Sequence, residues 1–149
     1  MCNFRLKSYN QKEEISNPHF FILNKGNNSG KPLVSPCPNC FTIQFTSTED
    51  KEQAYWLIFC LWQSKTFYQY LRGSVIPFII LLDLKNCIQS ALDKSDHNPE
   101  QFQKKILALR SLEEMEKKFK QNLKLVQDAK RMLFYKYLSH SYNRNRLLL

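Results

Sequence analysis

From Glu100 onward the chain contains neither glycine nor proline, and over much of that stretch apolar residues recur every third or fourth position. Phe102, Ile106, Leu109, Leu112, Met115, Phe119, Leu123, Val126, Ala129 (or Lys130), Leu133 and Tyr137 follow this step. A step of three or four places them on one side of a helix, so one amphipathic helix is predicted over Gln101–Leu138. At 1.5 Å per residue it would be about 55 Å long, more than one small domain can cover. Part of the stripe therefore needs a second helix to pack against, which no other segment is long enough to supply; the alternative is that the helix folds back and covers its own domain.

The same stretch carries the charge. Residues 101–149 hold twelve Lys and Arg against four acids, a net of +8, while residues 1–100 hold ten against nine. A basic surface confined to one element is what a polyanion-binding module needs, because neutralising phosphates releases condensed counterions. A solvated coiled-coil face has the same composition, so both readings stand. The cations are Lys117, Lys118, Lys120, Lys124, Lys130, Arg131 and Lys136, with Arg144 and Arg146 in the tail. Tyr135, Tyr137 and Tyr142 lie among them, and aromatic rings stack on bases.

The remaining composition excludes several classes. Hydrophobic content of 43% in 149 residues is enough for one globular core and argues against wholesale disorder. Met1–Leu6 lacks the apolar centre of a secretory signal, and the longest apolar run, Val75–Leu82, is too short to span a bilayer. Five cysteines at irregular spacing are not a disulfide framework. A cytoplasmic protein without a membrane partner is expected.

Along the chain, residues 1–18 read as a polar lead-in, and His19–Leu23 as a buried strand. Asn24–Lys31 reads as a turn, and Pro32–Cys40, with three prolines, as irregular. Phe41–Phe45 alternates with the period of a strand. Ser47–Asp50 offers capping chemistry for a helix over Lys51–Leu71, apolar all round from Ala54 to Trp62 and ended by Gly73. Val75–Leu81 reads as extended, Asp83–Leu92 as a short helix, and Asp93–Pro99 as a linker.

Three stretches carry a resemblance. Ser64-Lys65-Thr66-Phe67-Tyr68-Gln69-Tyr70-Leu71 is followed by Gly73-Ser74-Val75-Ile76-Pro77 and then by Asp83-Leu84-Lys85-Asn86. Pro99-Glu100-Gln101 then opens the long helix. In this order and spacing the segment from Phe41 to Leu138 resembles the end of a target recognition domain, with its spacer helix, from the DNA-specificity subunits of type I restriction–modification systems. The chain is shorter ahead of this segment than that family, and Ser95-Asp96-His97-Asn98 replaces the family's paired prolines. The resemblance implies a shortened half-subunit that binds DNA, associates with restriction–modification subunits, and pairs its helix antiparallel with another as a homodimer or heterodimer. Phe119, Leu123, Val126 and Leu133 would hold that pair.

Other motifs are weaker. Cys37-Pro38-Asn39-Cys40 has the spacing of half a zinc site, of a structural turn, and of a redox pair. Two thiolates leave a tetrahedral zinc two ligands short, and no second pair follows. Gly26–Lys31 lacks the Ser or Thr that a phosphate loop places after its lysine. His19, His97 and His140 have no Ser, Cys or carboxylate at motif spacing, and no catalytic constellation emerges.

The expected fold is α+β. A small sheet packs on a central buried helix in a domain over 1–97, and 98–149 forms one long projecting basic helix with its tail. The expected function is a non-catalytic, DNA-associated recognition or assembly module without a resident cofactor. The alternative is a protein-interaction or decoy module of a restriction or mobile-element complex that binds no DNA itself.

Overall fold

The structure, a computed structural model, describes residues 3–146; the side chains of Asp96 and of residues 139–146 lie outside that description. The chain is mixed α+β: a four-stranded antiparallel sheet, two sixteen-residue helices with a 3-10 turn between them, and a long C-terminal helix. It divides into two compact units, residues 1–103 and 104–149.

The strands are β1 (Phe4–Ser8), β2 (His19–Leu23), β3 (Pro32–Leu33) and β4 (Cys40–Phe45), in spatial order β1-β4-β2-β3. Register decides which side chains meet. Leu6 and Phe20 both lie opposite Ile43, Phe4 opposite Phe45, and Ile22 opposite Phe41. Because side chains alternate across a strand, all seven share one face, and that face supplies the sheet's part of the core. Helix α1 (Thr48–Gln63) contributes Ala54, Leu57 and Ile58, and helix α2 (Leu81–Asp96) contributes Leu84, Cys87, Ile88 and Leu92. On the other face Phe21 is buried too, with the Tyr9 ring edge-on at 5.4 Å.

Helix α1 starts as its sequence dictates: Ser47 accepts a hydrogen bond from the Asp50 amide at 3.0 Å, and Glu49 and Asp50 complement the helix dipole. It stops earlier than periodicity suggests. Lys65 adopts a left-handed conformation (φ 57°), its amide donating to the Trp62 carbonyl at 3.0 Å. The chain restarts as a 3-10 turn over Thr66–Tyr70. This break turns Phe67 into the core, where it lies against Gly30. Gly73 is therefore no helix stop. It sits at φ 91° in a tight turn closed by reciprocal 2.8 Å backbone bonds between Arg72 and Phe78.

Four other expectations need correcting. The lead-in contains β1, whose Phe4 and Leu6 gain a buried face only by pairing with β4. The irregular proline segment contains β3, with Pro32 buried. Val75–Leu81 is no strand: apart from bridges at Phe78 it is turn and loop, and Leu81 already opens α2. That helix runs to Asp96 and so absorbs much of the expected linker.

Candidate functional site

The long helix α3 spans Pro99–Arg146, 48 residues, about 72 Å of axis. Its start is well defined. Pro99 occupies a first-turn position that needs no amide donor, and Asn98 accepts from the Gln101 amide at 3.2 Å through its side chain. Phe102 packs against the core of the sheet unit. No interruption follows, as the missing glycines and prolines require.

Each residue advances about 100° around a helix, so residues seven apart return to nearly the same line. Leu112, Phe119, Val126 and Leu133 form one such row, with Met115 and Leu123 beside it. All six are exposed, Val126 at 51% and Leu133 at 70%. Lys117, Lys124 and Arg131 form a second seven-step row, with Lys120 beside it. The second row lies about 140° from the first, close to the opposite side. These four cations are exposed as well. Lys120 is hydrogen-bonded to Glu116 one turn earlier, which raises the ammonium pKa, and Arg131 lies 3.6 Å from Asp128.

The structure thus sorts the cations predicted from sequence. Lys117, Lys120, Lys124 and Arg131 share a face, Lys130 stands about 40° from the apolar row, and Lys118 and Lys136, about five turns apart, share a line to the side of both rows. The side chains of Arg144 and Arg146 lie outside the described residues. The pairing residues Phe119, Leu123, Val126 and Leu133 do share a face. Leu112 and Met115 belong with them, and the seven-residue step is the signal that adds them. Beyond Arg131 the two-sided pattern ends: Met132, Phe134, Tyr135 and Leu138 are exposed around the helix.

The other candidates fare differently. Cys37 and Cys40 brace a turn. The Cys40 thiol donates to the Cys37 carbonyl at 2.9 Å, and the Cys37 amide donates back to the Cys40 sulfur at 3.4 Å. Burial pushes the Cys40 thiol up, so it stays protonated as that donor. Among the described residues no group of three or more His, Cys, Asp or Glu is arranged to hold a metal. The Gly26–Lys31 loop joins two strands, and the Lys31 ammonium sits 5.0 Å from the centre of the Trp62 ring. A cleft of about 400 Å³ is lined by Leu61, Tyr70, Cys87 and Lys94 among others. Its thiol, Cys87, is pushed up by burial and so is poorly suited to act as a nucleophile.

A small α+β unit continued by a two-faced helix is the class these features define. The chain belongs to DUF6943, a family of unknown function whose model matches residues 6–136. That match takes in most of β1 and the helix as far as Lys136. No curated protein and no solved structure matches the chain. Among the described residues no helix is long and apolar enough to cross a membrane.

Proposed function

We propose that this chain is a non-catalytic, cytoplasmic assembly module that pairs through its long helix and contacts duplex DNA through the same helix. The observation carrying this reading is the opposition of the two rows: exposed Leu112, Phe119, Val126 and Leu133 on one side, Lys117, Lys124 and Arg131 on the other. An apolar row repeating every seven residues is a coiled-coil seam, and left bare it is the kind of patch that marks an interaction site. The resemblance to a type I specificity half-subunit agrees with both contacts, the partner being a second copy or a larger specificity subunit.

Charge favours an antiparallel pair: centred on the stripe, it brings Glu116 of one copy beside Lys130 of the other, a pairing of opposite charges that a parallel pair in register does not make.

Duplex binding across a salt series tests the DNA contact. Replacing Lys117, Lys120, Lys124 and Arg131 by Gln should flatten the slope of log affinity against log salt by about 3–4. An unchanged slope removes this face from the DNA contact. Light scattering tests the pair: the wild type should be dimeric, and Phe119→Asp with Val126→Asp monomeric.

A second reading, a protein-interaction module without DNA binding, is favoured by a different observation. The turn after Gly73 exposes Val75 at 90% and Ile76 at 52%, an apolar tip held by the Arg72–Phe78 bonds. No binding of duplex at low salt would select that reading.

A further inference from the structure

The opposition of the two rows on α3 has a geometric consequence once the helix pairs. When two helices pack along a seam, the residues of that seam point inward and those opposite it point outward. Lys117, Lys124 and Arg131 lie opposite the seam of Leu112, Phe119, Val126 and Leu133. In a paired molecule the two basic rows therefore face away from each other. Helix axes pack 8–10 Å apart and each helix with its side chains is 10–12 Å across, so the rows stand about 20 Å apart, back to back. One straight duplex can lie along one row, but it cannot reach round the pair to the other.

We propose that the paired protein is a bridge, each helix holding its own DNA segment so that one dimer joins two duplexes side by side. This rests on the reading of the helix as a pairing and DNA-contact element, and it adds the number and placement of the DNA segments. The residues divide the work cleanly. The seam supplies the join and the outer row supplies each grip. The outer row grips through charge on phosphates, and phosphate contacts carry no sequence information. Bridging is thus independent of sequence. It also passes through a maximum as protein is added, because excess dimers occupy each duplex separately and leave no free row to share.

The test uses the full chain and two unrelated duplexes, one fixed to beads and one fluorescent in solution. Wild type should draw the fluorescent duplex onto the beads, most strongly at intermediate protein concentration. Phe119→Asp with Val126→Asp should still bind a single duplex while capture falls at least tenfold. Lys117, Lys124 and Arg131 all changed to Gln should lose capture through weaker binding to each duplex. Sedimentation of the soluble complex counts duplexes per dimer, with two expected. A dimer that binds duplex but carries only one, with no capture, overturns the bridge and leaves the DNA-contact reading standing. Capture that persists undiminished in the monomeric variant also overturns it. Failure to bind any duplex overturns both.

Discussion

The sheet unit and the long helix place their apolar side chains in opposite ways. In the first, Ile22, Ile43, Ile58, Leu84 and Ile88 from two strands and two helices converge until each is fully buried. In the second, Leu112, Phe119, Val126 and Leu133 follow an equally regular pattern, yet each exposes half or more of its surface. Periodicity alone does not distinguish these outcomes. What differs is the supply of neighbours: the strands and α1 are short and are surrounded by other elements, whereas α3 is 48 residues long. An apolar stripe becomes core where the chain folds something against it, and stays exposed where it does not.

That contrast is easiest to break by mutation. Ile58→Ala removes a fully buried side chain at the centre of the sheet unit and should cost about 2–5 kcal/mol in chemical denaturation. Leu133→Ala, on the exposed row, should leave that unfolding free energy within about 0.5 kcal/mol in dilute protein. Equal effects would mean that the two regions are not energetically distinct.

Gly30→Ala sharpens the contrast from the backbone side. A Cβ there would stand 2.2 Å from the buried Phe67 ring, at a residue whose φ is 92°. Steric overlap and left-handed strain together should cost about 2–4 kcal/mol, read from the same unfolding curve. Ser47→Ala removes one cap from α1 and should cost about 1 kcal/mol.

The smallest effect concerns pH. Burial raises the thiols of Cys40, Cys60 and Cys87, so folding favours their neutral form. Their contribution to stability is complete below the ordinary thiol value of 9.0 and is lost as pH rises through the raised folded values. The unfolding midpoint should fall in that alkaline window, and Cys60→Ala with Cys87→Ala should make the fall shallower.

The sequence by itself determined those elements whose signal is local. An unbroken three-four step after Pro99 specifies α3. Alternation around Ile43 specifies β4, and Ser47 with its two acids specifies where α1 begins. It also marked Phe119, Leu123, Val126 and Leu133 as one face, because helical geometry follows from residue number alone. Tertiary structure decided the rest, and in each case the deciding contact is distant in sequence. Phe4 and Leu6 become a strand only because β4 lies beside them, some 37–41 residues further on. Helix α1 breaks at Lys65, and the break places Phe67 in the core beside Gly30, a residue of a distant loop. The apolar run after Gly73 divides between an exposed tip and the buried Ile79, because the Gly26 amide pairs with the Pro77 carbonyl and the Ile79 amide with the Asn24 carbonyl. Local patterns state which face of an element is apolar; which faces find cover depends on pairings that no short window of sequence contains.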